Sequence, residues 1–275
     1  MSPSRFPRPR LLDMVERYRR GKGKKNWLGS HQKCWIWGRN LVLETLTAGR
    51  WPIVELFLSE ALPDEARLVA GNRAADLGVP AAIVPSATLE NLGHTGEHQG
   101  YLARMSLFPY VPLETLLAGP KPGGDSPFLV MADGLQDPFN LGAVIRSAEV
   151  FGAGGVIIRE SGQTGVTSMV ARSSAGAVNR IPIARVESLE AAADILAARG
   201  IALVGASEKA EAELDAFDFR GPVCIAVGNE GFGLSPVVQD KCAARVRIPQ
   251  QGCVGSLNAA VAAGIFFYEL RRQRA

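Results

Sequence analysis

Residues that build metal sites and disulfides are scarce: four cysteines and three histidines in 275 residues. Cys34, Cys224, Cys242 and Cys253 are scattered, and none forms a C-x-x-C pair. That argues against a zinc site and a disulfide framework and suits reduced thiols. His94 and His98 lie four apart, but the glycines around them oppose a shared helical face, so no metal site is expected. The sequence lacks G-x-G-x-x-G and the Walker lysine, which argues against a nucleotide-dependent oxidoreductase and a phosphate-loop enzyme. It has no run of about 18 apolar residues, so no membrane span is expected. No apolar h-region follows the first residues, so a signal peptide is not expected. The arginine-rich start allows a transit peptide, against which Asp13 and Glu16 argue. The expected location is the cytoplasm.

What is present is unevenly placed. The net charge is only +3, yet residues 1–33 carry ten bases (Arg5, Arg8, Arg10, Arg17, Arg19, Arg20, Lys22, Lys24, Lys25 and Lys33) against Asp13 and Glu16. That segment is +8 and the remainder −5. A basic arm on a slightly acidic body fits a polyanion partner, or equally a solvated tail with no specific partner. Its Pro-, Lys- and Arg-rich composition is that of a disordered arm.

From residue 34 to 107 strands alternate with helices. Apolar Trp35-Ile36-Trp37, Val54–Leu58, Ala81–Val84 and Tyr101–Met105 read as strands, with helices at Asn40–Ala48 and at Asp64–Leu77, where Asp64 is a plausible cap. This is a small α/β unit. Eight prolines and glycines mark residues 108–127 as a linker, interrupted by a short helix near Leu113–Leu117. A second unit spans 128–275. Almost wholly apolar runs at Phe128–Ala132, Gly155–Ile158, Ala202–Val204 and Val223–Val227 suit buried parallel strands. Helices are expected at 140–151, 164–177, 188–199 and 256–271. The fold class is α/β, a doubly wound parallel sheet with helices on both faces.

Ligands of such sheets bind at loops beyond the C-terminal strand ends. Three loops there are polar and glycine-rich. The first runs from Asp133 through Asn140-Leu141-Gly142 to Arg146; Asn140 can cap a helix, and Arg146 can lie near the same helical face. The second is Gly228-Asn229-Glu230-Gly231-Phe232-Gly233-Leu234-Ser235, in which Ser235 can cap a helix at Pro236. The third leads from Ile248-Pro249 through Gln250-Gln251 and Cys253 to Ser256-Leu257-Asn258. Each has an ordinary capping or turn explanation when taken alone.

Together and in this order, the three stretches resemble the motifs of the SpoU (TrmH-type) RNA ribose 2′-O-methyltransferases. Gln250-Gln251 and Cys253 depart from the pattern, where relatives often carry a Met and a small residue. Gly38-Arg39-Asn40 and His98-Gln99-Gly100 resemble the ends of that family's ribosomal-protein-like RNA-binding domain. The resemblance implies a trefoil knot in the C-terminal domain, S-adenosylmethionine as cofactor, a homodimer, and RNA as partner. It implies that Asn140, Arg146, Glu230, Ser256 and Asn258 form the catalytic pocket. Gly228, Asn229, Ile248, Pro249 and Leu257 are then expected to hold the cofactor, and Arg39, Asn40 and Arg172 to meet RNA. Large-subunit ribosomal RNA, at a guanosine, is the expected substrate and transfer RNA the alternative. A non-catalytic RNA-binding protein is the rival class; it would not need the five pocket residues at once.

Overall fold

The structure, a computed structural model, describes residues 35–119, 127–253 and 255–275. The basic arm 1–33, Cys34, the centre of the Pro/Gly-rich connection and Val254 lie outside the described residues.

The first unit is a four-stranded sheet in the order β1-β4-β2-β3, built from β1 (Trp35–Trp37), β2 (Ile53–Ser59), β3 (Ala81–Val84) and β4 (Tyr101–Met105). Only β2 and β3 run parallel. Helices α1 (Arg39–Ala48), α2 (Asp64–Asp76) and α3 (Ser86–Gly93) cover it. One sequence expectation, the cap of α2, is corrected here, and one helix is added. Asp64 is the first helical residue of α2 and pairs with Arg67; Pro63 holds the cap position. The helix α3 was not foreseen; it is only eight residues long and ends on Gly93. His98 is buried and its Nδ1 accepts from the Gly100 amide at 2.9 Å.

The second unit is a seven-stranded, all-parallel sheet in the order β7-β6-β5-β10-β8-β11-β9. Its strands are β5 (Phe128–Ala132), β6 (Gly155–Arg159), β7 (Ile183–Val186), β8 (Ala202–Ala206), β9 (Ala212–Glu213), β10 (Val223–Val227) and β11 (Ala244–Arg247). β5 and β10 are buried at all five positions and adjoin at the centre, as uninterrupted apolar runs require. Alternation then splits their side chains between two layers. Val130 and Ile225 face α5 (Pro138–Val150) and α9 (Ala259–Gln273), the last helix of the chain. Met131 and Ala226 face α4 (Leu113–Ala118), α7 (Leu189–Ala198) and α8 (Pro236–Lys241) on the other side. Between β6 and β7 lie α6 (Ser168–Ser173) and a 3₁₀ turn at Ala177–Asn179.

The Pro/Gly-rich connection is packed where it is described. Trp51, Phe108 and Tyr110 stack edge-on at 5.1 and 4.9 Å, and the Tyr110 hydroxyl accepts from the Val166 amide at 2.7 Å. Leu116 of α4 sits so close to Gly155 that a Cβ there would approach it to 2.5 Å. In the described part of the connection Phe108, Leu113 and Leu116 are buried in the two layers, and Pro112 holds the cap position of α4. The two units also meet directly. Asn179 donates to Thr45 Oγ1 at 3.0 Å in the interior, and Arg180 pairs with Glu44.

Candidate functional site

The loops after β5 and β10 are tied together before any ligand is considered. Buried Asp133 accepts from the Ser235 amide at 2.6 Å, and its own amide donates to Val227. The Asn229 amide donates to the Gly134 carbonyl at 2.8 Å, while its Oδ1 accepts from the amides of Gly231 and Phe232. Paired backbone hydrogen bonds between Asn229 and Gly233 close the turn. Gly228 leaves no room for a side chain: a Cβ there would stand 2.2 Å from the Gly233 carbonyl carbon. Ser235 holds the cap position of α8 without using its side chain, its backbone being held by Asp133.

On this base three residues from the three loops meet. Asn140 donates from Nδ2 to Glu230 Oε1 at 2.8 Å, and Asn258 donates from Nδ2 to Asn140 Oδ1 at 2.9 Å. Asn258 caps α9, its Oδ1 accepting from the amides of Ala260 and Val261. The cap fixes the direction of the whole chain. With Oδ1 spent on N–H donors, Asn258 can only donate onward, and Asn140 must then present its own amide to the carboxylate. Asn140 is therefore not the cap of α5; Asp137 is, accepting from Phe139. The third helical residue is freed to bond across the sheet end.

A cavity of about 320 Å³ opens beside this chain, at the low end for small-molecule sites. Gly228, Asn229, Glu230, Ile248, Ser256 and Leu257 line it. The sequence reading did not foresee Ser207, Glu208, Lys209 and Phe232, which also line it. The first three follow β8, a fourth strand end of the kind already recognised as a ligand position. Apolar walls from Val227, Ile248 and Leu257, with carboxylates and one ammonium at the edge, fit a ligand with an aromatic base and a charged amino-acid end. Pro249 is exposed and outside the lining.

The remaining expected residues are elsewhere. Arg146 is exposed, makes no hydrogen bond or ion pair with the described residues, and does not line the cavity. Six residues at about 100° each carry it some 240° round α5 from Asn140, so the two do not share a face. It falls instead on an outward stripe with Phe139, Ala143 and Val150. Arg39 lines a separate cavity of about 410 Å³ with Gln99 and Tyr101, and its amide donates to Gln99 Oε1 at 2.9 Å. Asn40 is exposed beside it. Arg172 lies between the units, 4.9 Å above the Trp37 ring and 2.9 Å from Glu97. Trp35 and Trp37 are buried rather than offered to a ligand. Among the described residues no cluster of His, Cys, Asp and Glu could hold a metal, and no helix is long and apolar enough to cross a membrane.

The sheet and this site define an α/β protein with a ligand-sized cavity at the strand ends. Residues 127–268 match the SpoU rRNA methylase family, and residues 35–111 match the substrate-binding domain of RNA 2′-O ribose methyltransferases. YacO of Bacillus subtilis, named as a TrmH family tRNA/rRNA methyltransferase, is 35% identical over 246 residues, 89% of this chain and 98% of that protein. The AdoMet-bound SpoU methyltransferase AviRb of Streptomyces viridochromogenes has a TM-score of 0.75 at 26% identity, covering 95% of this chain and 98% of that one. An AdoMet-bound rRNA methyltransferase from Sinorhizobium meliloti gives 0.76 at 26% identity, covering 95% of each chain. The chain belongs to the SpoU rRNA methylase family and is an RNA methyltransferase.

Proposed function

We propose that this protein methylates a ribose 2′-hydroxyl, with S-adenosylmethionine as donor and a guanosine of large-subunit ribosomal RNA as acceptor. The observation that carries this reading is the hydrogen-bonded chain Glu230–Asn140–Asn258 at the rim of the strand-end cavity. We assign the cofactor to Gly228, Asn229, Ile248 and Leu257, which line the cavity; Pro249, expected beside them, stands outside it. Bound in the cavity, the cofactor supplies an electrophilic methyl group on a sulfonium.

The chain's own residues handle the acceptor. A ribose hydroxyl is a weak nucleophile until its proton leaves, so orientation and stabilisation of negative charge are the tasks. The bond from Asn140 fixes one carboxylate oxygen of Glu230 and leaves Oε2 to accept from the hydroxyl. Ser256, without a hydrogen-bond partner among the described residues, offers its own hydroxyl on the same rim. Arg146 lies away from this rim within its own subunit, on the outward stripe of α5 where the dimer is proposed below, so its positive charge would reach the developing alkoxide and its phosphate in the partner subunit's site. A guanidinium stays protonated, so it positions and stabilises rather than removes the proton.

We further propose a homodimer formed on α5 and α9, with the last segment of the chain threaded as a trefoil knot. Support for the dimer comes from Phe139 and Val150 on α5 and Val261 and Tyr268 on α9, each more than half exposed on helices that pack together. Within this scheme 34–107 is the RNA-binding unit, reaching RNA through Arg39 and Asn40; 108–127 is the brace and 128–275 the catalytic unit. Arg172, engaged by Trp37 and Glu97, holds the units together and meets RNA only if released. The basic arm adds phosphate contacts. The reaction is placed in the cytoplasm, where Cys224, Cys242 and Cys253 stay as the free thiols they are here.

Thermal shift with S-adenosylmethionine tests the cofactor: at 100 times the dissociation constant it should stabilise by about 2.7 kcal/mol. No shift at saturating concentration would refute it. Ribose-methylation mapping of total RNA from a strain lacking the gene decides between ribosomal and transfer RNA.

A further inference from the structure

Phe232 is 92% exposed, more than any other large apolar side chain described. Nothing loose in the chain explains this. The ring is carried on a turn closed by two backbone hydrogen bonds between Asn229 and Gly233, at 2.8 and 2.9 Å. The Phe232 amide is itself bound by Asn229 Oδ1 at 3.2 Å. Gly228, with no space for a Cβ, fixes the base of the turn. The turn thus holds an aromatic face in water, two residues from Glu230 and at the edge of the same cavity. The other exposed large apolar residues of this domain lie on helices, except Leu257, which is 40% exposed and lines the cavity; Phe232 is 92% exposed on a turn.

We propose that the Phe232 ring is the platform on which the base of the acceptor nucleotide stacks while its ribose lies at Glu230. The proposal rests on the RNA-methylation reading and adds a substrate requirement to it. A base can reach an exposed ring only when it is unpaired and drawn out of its own stack, so the acceptor lies in a loop, bulge or single-stranded stretch. Because every base has a π face, the platform selects accessibility and leaves base identity to other contacts.

The test uses the full-length protein with total RNA from a strain lacking the gene as methyl acceptor. Phe232→Ala should raise KM for RNA roughly 10- to 100-fold, the range expected for loss of one base–aromatic stack. The Kd for S-adenosylmethionine should stay within about twofold and the molecular mass by light scattering should not change. Phe232→Trp should restore KM, and Phe232→Leu, apolar but without a π face, should not. In the Phe232→Trp variant, titration with a short oligo(A) should quench an emission component absent from the parent. An unchanged KM in Phe232→Ala, or an absent quench, overturns the proposal. A fall in mass would assign the ring to a contact between copies, and lost cofactor affinity would assign it to the donor; either overturns it too. If the parent transfers methyl to no RNA, the methylation reading itself fails, and the quench alone then decides whether the ring binds a base.

Discussion

The side-chain amide of Asn140 donates to the Glu230 carboxylate at 2.8 Å, joining residues 90 positions apart. The bond spans the C-terminal ends of β5 and β10, neighbours at the middle of the sheet. Asn258 completes the chain from the third loop. A carboxylate held this way has a defined direction, which a catalytic group requires and a solvated surface glutamate lacks.

Asn258 has two separable duties. Asn258→Asp keeps the oxygen that caps α9 and removes the amide that binds Asn140. Asn258→Ala removes both. The aspartate variant should melt close to the parent yet lose at least tenfold in methyl transfer. The alanine variant should in addition lose about 1 kcal/mol of stability, the usual worth of an N-cap. Thermal melts beside a tritium-transfer assay separate the two.

Gly228→Ala tests the turn. The added methyl would stand 2.2–2.5 Å from the backbone of Gly233 and Leu234, and backbone cannot step aside as a side-chain tip can. The turn must open, taking Glu230 and Phe232 with it. Calorimetric titration should show S-adenosylmethionine binding weakened by more than about tenfold, a cost of 1.4 kcal/mol or more. Ala at Gly231, where a Cβ meets nothing closer than 3.4 Å, is the control and should bind normally.

Arg172→Ala should loosen the two units without unfolding either. It removes the guanidinium over Trp37 and the partly exposed ion pair with Glu97. Together these amount to about 1 kcal/mol, most of it from the cation–π contact. Limited proteolysis should then cut the connection between 108 and 127 several times faster. An unchanged rate would mean that Asn179–Thr45 and the Trp51–Phe108–Tyr110 stack suffice.

Acid stability should depend on Glu269. Its carboxylate accepts two hydrogen bonds from Arg272 and one from Gln273, which hold it down at about 2. A carboxylate depressed in the fold stabilises at pH above its unfolded value near 4.5, and that contribution is lost as pH falls toward 2. Melting temperature of Glu269→Gln should therefore fall less steeply than the parent's between pH 5 and 2, with the two profiles parallel above pH 6.

Much of this was legible in the chain. Phe128–Ala132 and Val223–Val227 announced the central strands because parallel strands buried on both faces need unbroken apolar runs. The three loops announced the site because polar, glycine-rich segments follow those runs. What stayed hidden was how local bonds are shared out. Asp137 and Asn140 are both good caps, and only the fold reveals that Asp137 caps while Asn140 crosses to Glu230. The separation of Arg146 from Asn140 follows from helical geometry and was open to calculation. Phe232 carried no signal, since a lone phenylalanine in a sequence reads as core until its exposure is known.

The central claim is that these loops direct a methyl group to a ribose oxygen. Its most direct measurement is transfer from tritiated S-adenosylmethionine into RNA, followed by alkaline hydrolysis. A 2′-O-methyl group blocks cleavage of the adjacent phosphodiester, so the label should appear in alkali-stable dinucleotides and should vanish with Arg146→Ala. Label recovered as a methylated base in mononucleotides would contradict the account.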